Sequence, residues 1–213
     1  MRKLRGLLKA SHFVPSLIVS GIAFIFGAYY WWEGPAYVIA FSVFTGQLVI
    51  GWSNDLYDFS DDRKHERINK PLVSGLITEK FLRSWLIFMV PFSFLANIFG
   101  PLGIKGGLLY WLGVGCGVAY NFYFKFNLFS ALPYAVAFAI LPSCIAISKS
   151  VTPPVWMWLG GALLGSAAHF INVLKDLDQD RQSEINGLPQ RVGKRASIGI
   201  AALLIVTAAA IIY

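Results

Sequence analysis

Residues 53–64 read SNDLYDFSDDRK, and the spacing of their acids decides how the whole chain is read. Asn54, Asp58 and Asp62 step by four, which on an α-helix places them along one face. A second stretch, NVLKDLDQDR at 172–181, repeats the step with Asn172, Asp176 and Asp180. All seven aspartates fall in these two stretches, the remaining three being Asp55, Asp61 and Asp178. Oxygen donors in this pattern suit a hard divalent cation such as Mg2+ rather than zinc. Two such acidic faces predict a phosphate-bearing substrate.

The acids stand out because the rest of the chain is oily. Over 213 residues it is 56% hydrophobic, with 17 Phe, nine Tyr, seven Trp and a mean hydropathy of +0.60. That composition excludes an ordinary soluble domain. Seven apolar runs approach the ~20 residues a bilayer-spanning helix needs: 12–31, 36–54, 82–100, 106–124, 128–148, 154–174 and 196–213. The first is too long, and too poor in cleavage-site character, for a removable signal peptide. The predicted fold class is all-α, a polytopic transmembrane helical bundle. Cys116 and Cys144 lie inside predicted spans, form no CxxC pair and read as small core residues.

A net charge of +7 would suggest nucleic acid in a soluble protein, but here its distribution matters more. Alternating the spans leaves only Lys105 and Lys149 on one side, so 16 of the 18 basic residues share the other. By the positive-inside rule that side is cytoplasmic, and it carries the N-terminus, both acidic stretches and Lys125. The expected setting is a bacterial cell membrane with lipid, not nucleic acid, around the protein. Arg2, Lys3 and Arg5 are read as topology determinants that meet anionic lipid.

The two ladders lie 118 residues apart, and their surroundings rhyme. Asp62 is followed by Arg63, Ile68, Asn69 and Pro71, and Asp180 by Arg181, Ile185, Asn186 and Pro189. Each ladder ends the second helix of a four-helix unit, so the chain reads as a pseudo-repeat. A complete duplication needs eight spans, and the sequence reaches Tyr213 in the seventh. Residues 1–213 are therefore expected to be a single domain shortened at its C-terminus.

NDLYDFSDD fits NDxxDxxxD at Asn54, Asp55, Asp58 and Asp62, and DLDQD fits DxxxD at Asp176 and Asp180. With DRKHERINKPLVSG after the first motif and INGLPQRVG after the second, the chain resembles the UbiA superfamily of intramembrane prenyltransferases. The opening KASHFVPSL and the stretch GQLVIGWSND bring it nearer a bacterial branch than the quinone-pathway members. The resemblance implies about nine helices, two more than the spans read here. It also implies Mg2+-dependent transfer of a prenyl group from an allylic prenyl diphosphate to a lipophilic or aromatic acceptor, releasing pyrophosphate.

Under that resemblance Asp58, Asp62, Asp176 and Asp180 carry the catalysis, and these four with Asp55 hold the metal. Asn54, Asn172, Lys70, Lys125, Arg63, Arg181 and Tyr120 bind substrate. Lys70 stands where the family usually has arginine before a proline-leucine pair, which keeps the charge and gives up a bidentate contact. Tyr120, Tyr123, Tyr57 and Phe170 are candidates for an aromatic wall around an allylic cation, although packing is the commoner use of such residues at membrane boundaries. Asp61 and Asp178 fall off the ladders and read as bystanders. His12 and His169 are weighed as acceptor-side bases against ordinary structural histidines, and His65 is the weaker candidate. Two other readings stay open: a phosphoribosyl transferase acting on polyprenyl phosphate, and a cation-binding transporter. Against the transporter, the acids gather at one membrane face with basic residues beside them.

Overall fold

An apolar chain in lipid must satisfy its backbone polar groups internally, and helices do so within each segment. The computed structural model, which describes residues 2–175, 177, 180, 183 and 185–213, is accordingly helical. In chain order the helices are α1 (Arg2–Ala10), α2 (Phe13–Tyr30), α3 (Glu33–Lys64), α4 (Glu79–Phe99), α5 (Gly103–Phe122), α6 (Leu132–Ser148), α7 (Val155–Leu174) and α8 (Leu188–Ile212). A 3-10 turn at Phe124–Phe126 links α5 to α6. No strand occurs among the described residues. All seven apolar runs lie largely or wholly within helices, and α2, α3, α4, α7 and α8 are long and apolar enough to cross a membrane. α6 is apolar but has 17 residues, and α5 is diluted by Lys105 and several glycines.

Helices adjacent in sequence pack as neighbours from α2 through α8, and α2 also meets α6. The bundle therefore curls back on itself, and the space it encloses is bounded by α2, α3, α5, α6 and α7. α6 and α7 approach closely because α7 presents Gly161 and Gly165, one turn apart. A Cβ at Gly161 would lie 2.6 Å from the Phe138 carbonyl, and one at Gly165 would meet the Tyr134 carbonyl. Small residues at this spacing let membrane helices come into backbone contact.

Two features position the site. α3 has 32 residues, about 48 Å of helix, so it outruns the ~30 Å apolar core of a bilayer. Its last turns, beyond the predicted end of the span at 54, carry the first acidic ladder as helix. α1 escapes the hydropathy reading because Arg2, Lys3, Arg5 and Lys9 interrupt it, yet Gly6, Leu7 and Ala10 form a buried face. Trp52 of α3 donates its indole N–H to the Leu7 carbonyl at 3.0 Å, pinning α1 across the ladder end of α3. The loop at 65–78 folds under α1 through Leu72 and Ile77, both buried. It hands over to α4 at Thr78, whose hydroxyl accepts from the Phe81 N–H at 3.2 Å.

Candidate functional site

At the ladder end the bundle holds a cavity of about 520 Å3. Asn54, Asp58 and Asp62 line it from α3, Asn172 from α7, and Asp180 from beyond the end of α7. The described members of both ladders therefore share one cavity. Asp176, Asp178 and Arg181 lie outside the described residues. Lys70 and Arg67 come from the loop after α3, Lys125 from the 3-10 turn and Lys175 from the end of α7. The same cavity continues between helices past Val19, Val114, Ile140 and Leu141, so an ionic mouth opens into an apolar throat.

The acids of the first ladder are held by cations. Arg67 donates to Asp62 Oδ1 at 2.7 Å and lies 3.5 Å from Asp61. Lys70 Nζ donates to Asp55 Oδ1 at 2.8 Å and sits 3.8 Å from Asp62 Oδ2. Lys125 Nζ donates to Asp58 Oδ1 and lies over the Tyr57 and Phe126 rings, 5.1 and 5.3 Å from their centroids. Asp55, Asp62 and Lys125 are each no more than 5% exposed, so these pairs are formed away from bulk water. Burial pulls the Lys70 ammonium down, but Asp55, Asp62 and Asp58 together outweigh it and hold its pKa above that of an ordinary lysine. Lys70 therefore stays charged across the neutral range.

Across the cavity, Asp180 accepts from the Gln190 side-chain amide at 2.7 Å. Arg67 reaches over to donate to the Ser183 hydroxyl, tying the first loop to the second. The repeat is visible in the backbone as well. The Arg67 N–H donates to the Asp62 carbonyl at 2.9 Å, and 118 residues later the Ile185 N–H donates to the Asp180 carbonyl at 3.0 Å.

Several expected residues sit elsewhere. Asp55 follows Asn54 directly, which on a helix turns it about 100° off the ladder face. It does not line the cavity, and its carboxylate meets Lys70 and, at 3.7 Å, His12 Nε2. Arg63 is turned away from Asp62 for the same reason; it is exposed and does not line the cavity. Arg67, which the sequence reading passed over, occupies the place expected for it. Asp61 pairs with His65 at 3.2 Å at the half-exposed rim, in keeping with a bystander.

Of the four aromatic candidates only Tyr120 lines the cavity, packed against Tyr134 and His169 with centroids 5.1 and 5.5 Å apart. Tyr57 and Tyr123 are exposed, and Phe170 is buried in a small core with Ala167 and Ala201. Tyr110, Tyr134 and Phe138 complete the aromatic lining, although no motif marked them. His12 lines the cavity with a left-handed backbone, φ 50°, at the joint between α1 and α2. His169 is buried at 1% exposure and pairs with the Ser130 hydroxyl at 2.9 Å. That hydroxyl also accepts from the Leu188 N–H at the start of α8, which makes His169 a structural tie. Among the described residues no three His, Cys, Asp or Glu side chains converge on a point that would hold an ion by themselves.

A bundle of membrane-spanning helices around a cavity with a charged mouth and an apolar throat defines a membrane protein that handles amphiphiles. Comparison with known proteins narrows that class. The sequence profile of the UbiA prenyltransferase family matches residues 13–213, and the chain belongs to that family. It is an integral membrane prenyltransferase. Two lycopene elongase/hydratases of Corynebacterium glutamicum are each 25% identical over 232 residues, spanning 100% of this chain and 78% of theirs. The fold is also that of a solved digeranylgeranylglyceryl phosphate synthase (TM-score 0.71, 18% identity, 99% of this chain and 76% of that one). A UbiA homologue from Archaeoglobus fulgidus bound to DMAPP and Mg2+ is equally similar (TM-score 0.72, 16% identity, 99% and 75%).

Proposed function

We propose that residues 1–213 act as one domain that transfers a prenyl group from an allylic prenyl diphosphate to a lipophilic acceptor and releases pyrophosphate. The observation that carries this reading is the cavity, in which carboxylates, amides and ammonium groups at the mouth lead directly into an apolar, aromatic-lined throat. A prenyl diphosphate has that same polarity along its length.

The donor set fits Mg2+. Asn54, Asp58, Asp62 and Asp180 present only oxygen ligands, and Mg2+ takes one or two carboxylates and completes its shell with waters and substrate phosphates. The absence of a closed three-residue cage among the described residues is compatible with that habit. These residues, with Asp176, would hold the ion; when bound, it supplies neutralisation of the diphosphate charge. The A. fulgidus homologue, solved with DMAPP or GPP and Mg2+, supports the assignment.

The chain's own residues divide the remaining work. Arg67, Lys70 and Lys125 offer cationic donors to the diphosphate oxygens, and Asn172 a neutral one. Asp55 acts through Lys70, holding its ammonium at the cavity mouth. As the allylic C–O bond breaks, its electron pair leaves with pyrophosphate, and Tyr120 and Tyr134 face the cationic carbon without attacking it. The acceptor then forms the new carbon bond and gives up a proton. Arg181 belongs with the substrate-binding residues, and Arg63, facing out, contributes to the charge of that face. The lycopene elongase/hydratase relatives favour a long polyene-like acceptor over a soluble one.

The reading is tested by giving the purified protein labelled allylic diphosphate with lipid extract, and in parallel labelled phosphoribosyl diphosphate with polyprenyl phosphate. Prenylated lipid and pyrophosphate are expected from the first and no product from the second. Ribosyl transfer would replace the assignment. The cavity mouth is proposed to face the cytoplasm of a bacterial cell, after the 16-to-2 split of basic residues. Reporters fused within 65–78 and near Glu33 should then report opposite sides, and a shared side would reject that topology.

A further inference from the structure

Asn54, Asp58 and Asp62 sit on one continuous helix, so α3 alone fixes their spacing. In the second ladder Asn172 is on α7, but Asp180 lies beyond the end of that helix at Leu174. Its place therefore depends on what anchors the chain there. One anchor is the amide of Gln190, which donates to Asp180 Oδ2 at 2.7 Å. Gln190 belongs to the opening turn of α8, and Gly193, at φ 81° and ψ 172°, breaks the helical path between that turn and the apolar remainder. The turn cannot take its position from the long helix alone.

Its hold comes from elsewhere in the chain. A helix start leaves backbone N–H groups without partners, which a side chain at the N-cap commonly answers. Here the N-cap is Gly187, which has no side chain to offer. The Leu188 N–H is capped instead by Ser130, from the segment between the 3-10 turn and α6, at 2.8 Å. Glycine at 187 lets that hydroxyl in, since an added Cβ would lie 2.8 Å from Ser130 Oγ. Ser130 is 0% exposed, and its Oγ lies 2.9 Å from His169 Nε2.

The protons in this group follow from counting donors and acceptors. If the imidazole donated from Nε2, Ser130 would receive two N–H groups. Its own proton and the bare Nδ1 would then both lack a partner among the described residues. With the ring proton on Nδ1, Ser130 donates to Nε2, and only the buried Nδ1 N–H is left over. Fewer buried orphans cost less, so the second arrangement holds. His169 thus takes the serine proton and leaves the hydroxyl oxygen to accept from Leu188.

Resting on the reading of the cavity as a Mg2+ and prenyl diphosphate site, we infer that His169 and Ser130 are positioning residues for the second ladder. They act through the capped start of α8 and through Gln190, and so set where Asp180 stands. None of His169, Ser130 and Gln190 lines the cavity, so the relay works from behind its wall.

The test titrates a non-hydrolysable geranyl diphosphate with Mg2+ into variants in nanodiscs, beside thermal melts. His169→Phe and Gln190→Leu should each weaken binding about three- to tenfold, the range of one hydrogen bond. His169→Gln, whose side chain can offer an oxygen near the Nε2 position, should restore binding to within about twofold of wild type, and the double variant His169→Phe/Gln190→Leu should bind within about twofold of the weaker single. Should His169→Phe not fold, Ser130→Ala takes its place in the same cycle. Losses that multiply in the double variant overturn the relay, as does a His169→Phe protein that melts lower yet binds as wild type. Both results leave the reading of the cavity intact. Wild type failing to bind overturns that reading, and the relay with it.

Discussion

The two acidic ladders are copies in sequence and differ in what holds them. In the first, Asp58 and Asp62 are matched to Lys125 and Arg67, with Asp55 beside them matched to Lys70, and the contacts are short and shielded. In the second, the neutral amide of Gln190 is among the groups that hold Asp180. The local backbone turn is the same in both, as the paired hydrogen bonds to the Asp62 and Asp180 carbonyls show. The same backbone turn thus carries different side-chain partners at Asp62 and Asp180. The first ladder brings cations to the cavity mouth with its acids, and the second brings Asp180 together with the amide of Gln190.

The largest expected effects come from breaking the two ladders in parallel. Asp62→Ala breaks the short pair that Arg67 makes at a buried position and removes a second carboxylate from beside Lys70, so a loss of about 3–5 kcal/mol in stability is expected along with all prenyl transfer. Asp180→Asn keeps a polar partner for Gln190, so stability should fall by about 1 kcal/mol or less while transfer is still lost. Thermal melts in detergent, read beside pyrophosphate release, separate the two outcomes. Equal destabilisation would erase the contrast between the ladders.

A smaller effect sharpens the comparison from beside the first ladder. Asp61 adjoins Asp62 but turns to the half-exposed rim, where it pairs with His65. Asp61→Asn should cost less than about 1 kcal/mol, as exposed pairs generally do, and leave transfer near the wild-type rate. A loss of activity comparable to that of Asp62→Ala would mean that the whole acidic stretch, and not its cavity face, carries the function.

Much of this was legible in the sequence, because a step of four is a strong helical signal. Asn54, Asp58 and Asp62 do share a face, and the side chains of Asn172 and Asp180 meet it across the cavity. The apolar runs predicted the helices, although α3 continues past 54 to Lys64 and α8 begins before 196, at Leu188. Other features were not legible, for physical reasons. α1 buries only Gly6, Leu7 and Ala10, too few to raise hydropathy against four basic residues. Arg67 reaches Asp62 through a turn, and helical spacing says nothing about residues beyond the helix. Tyr110 and Tyr134 looked like any aromatic in an apolar span, since only tertiary structure reveals which of them faces a cavity. Asp55 matched the family motif, yet its register turns it toward Lys70.

The central claim is that one cavity binds a prenyl diphosphate through magnesium held by carboxylates of both ladders. Calorimetric titration of the wild-type protein in nanodiscs with a non-hydrolysable prenyl diphosphate, with Mg2+ and again with excess chelator, tests it most directly. Binding that needs Mg2+ and vanishes with chelator is the predicted result. Binding of equal strength in both titrations would contradict the account.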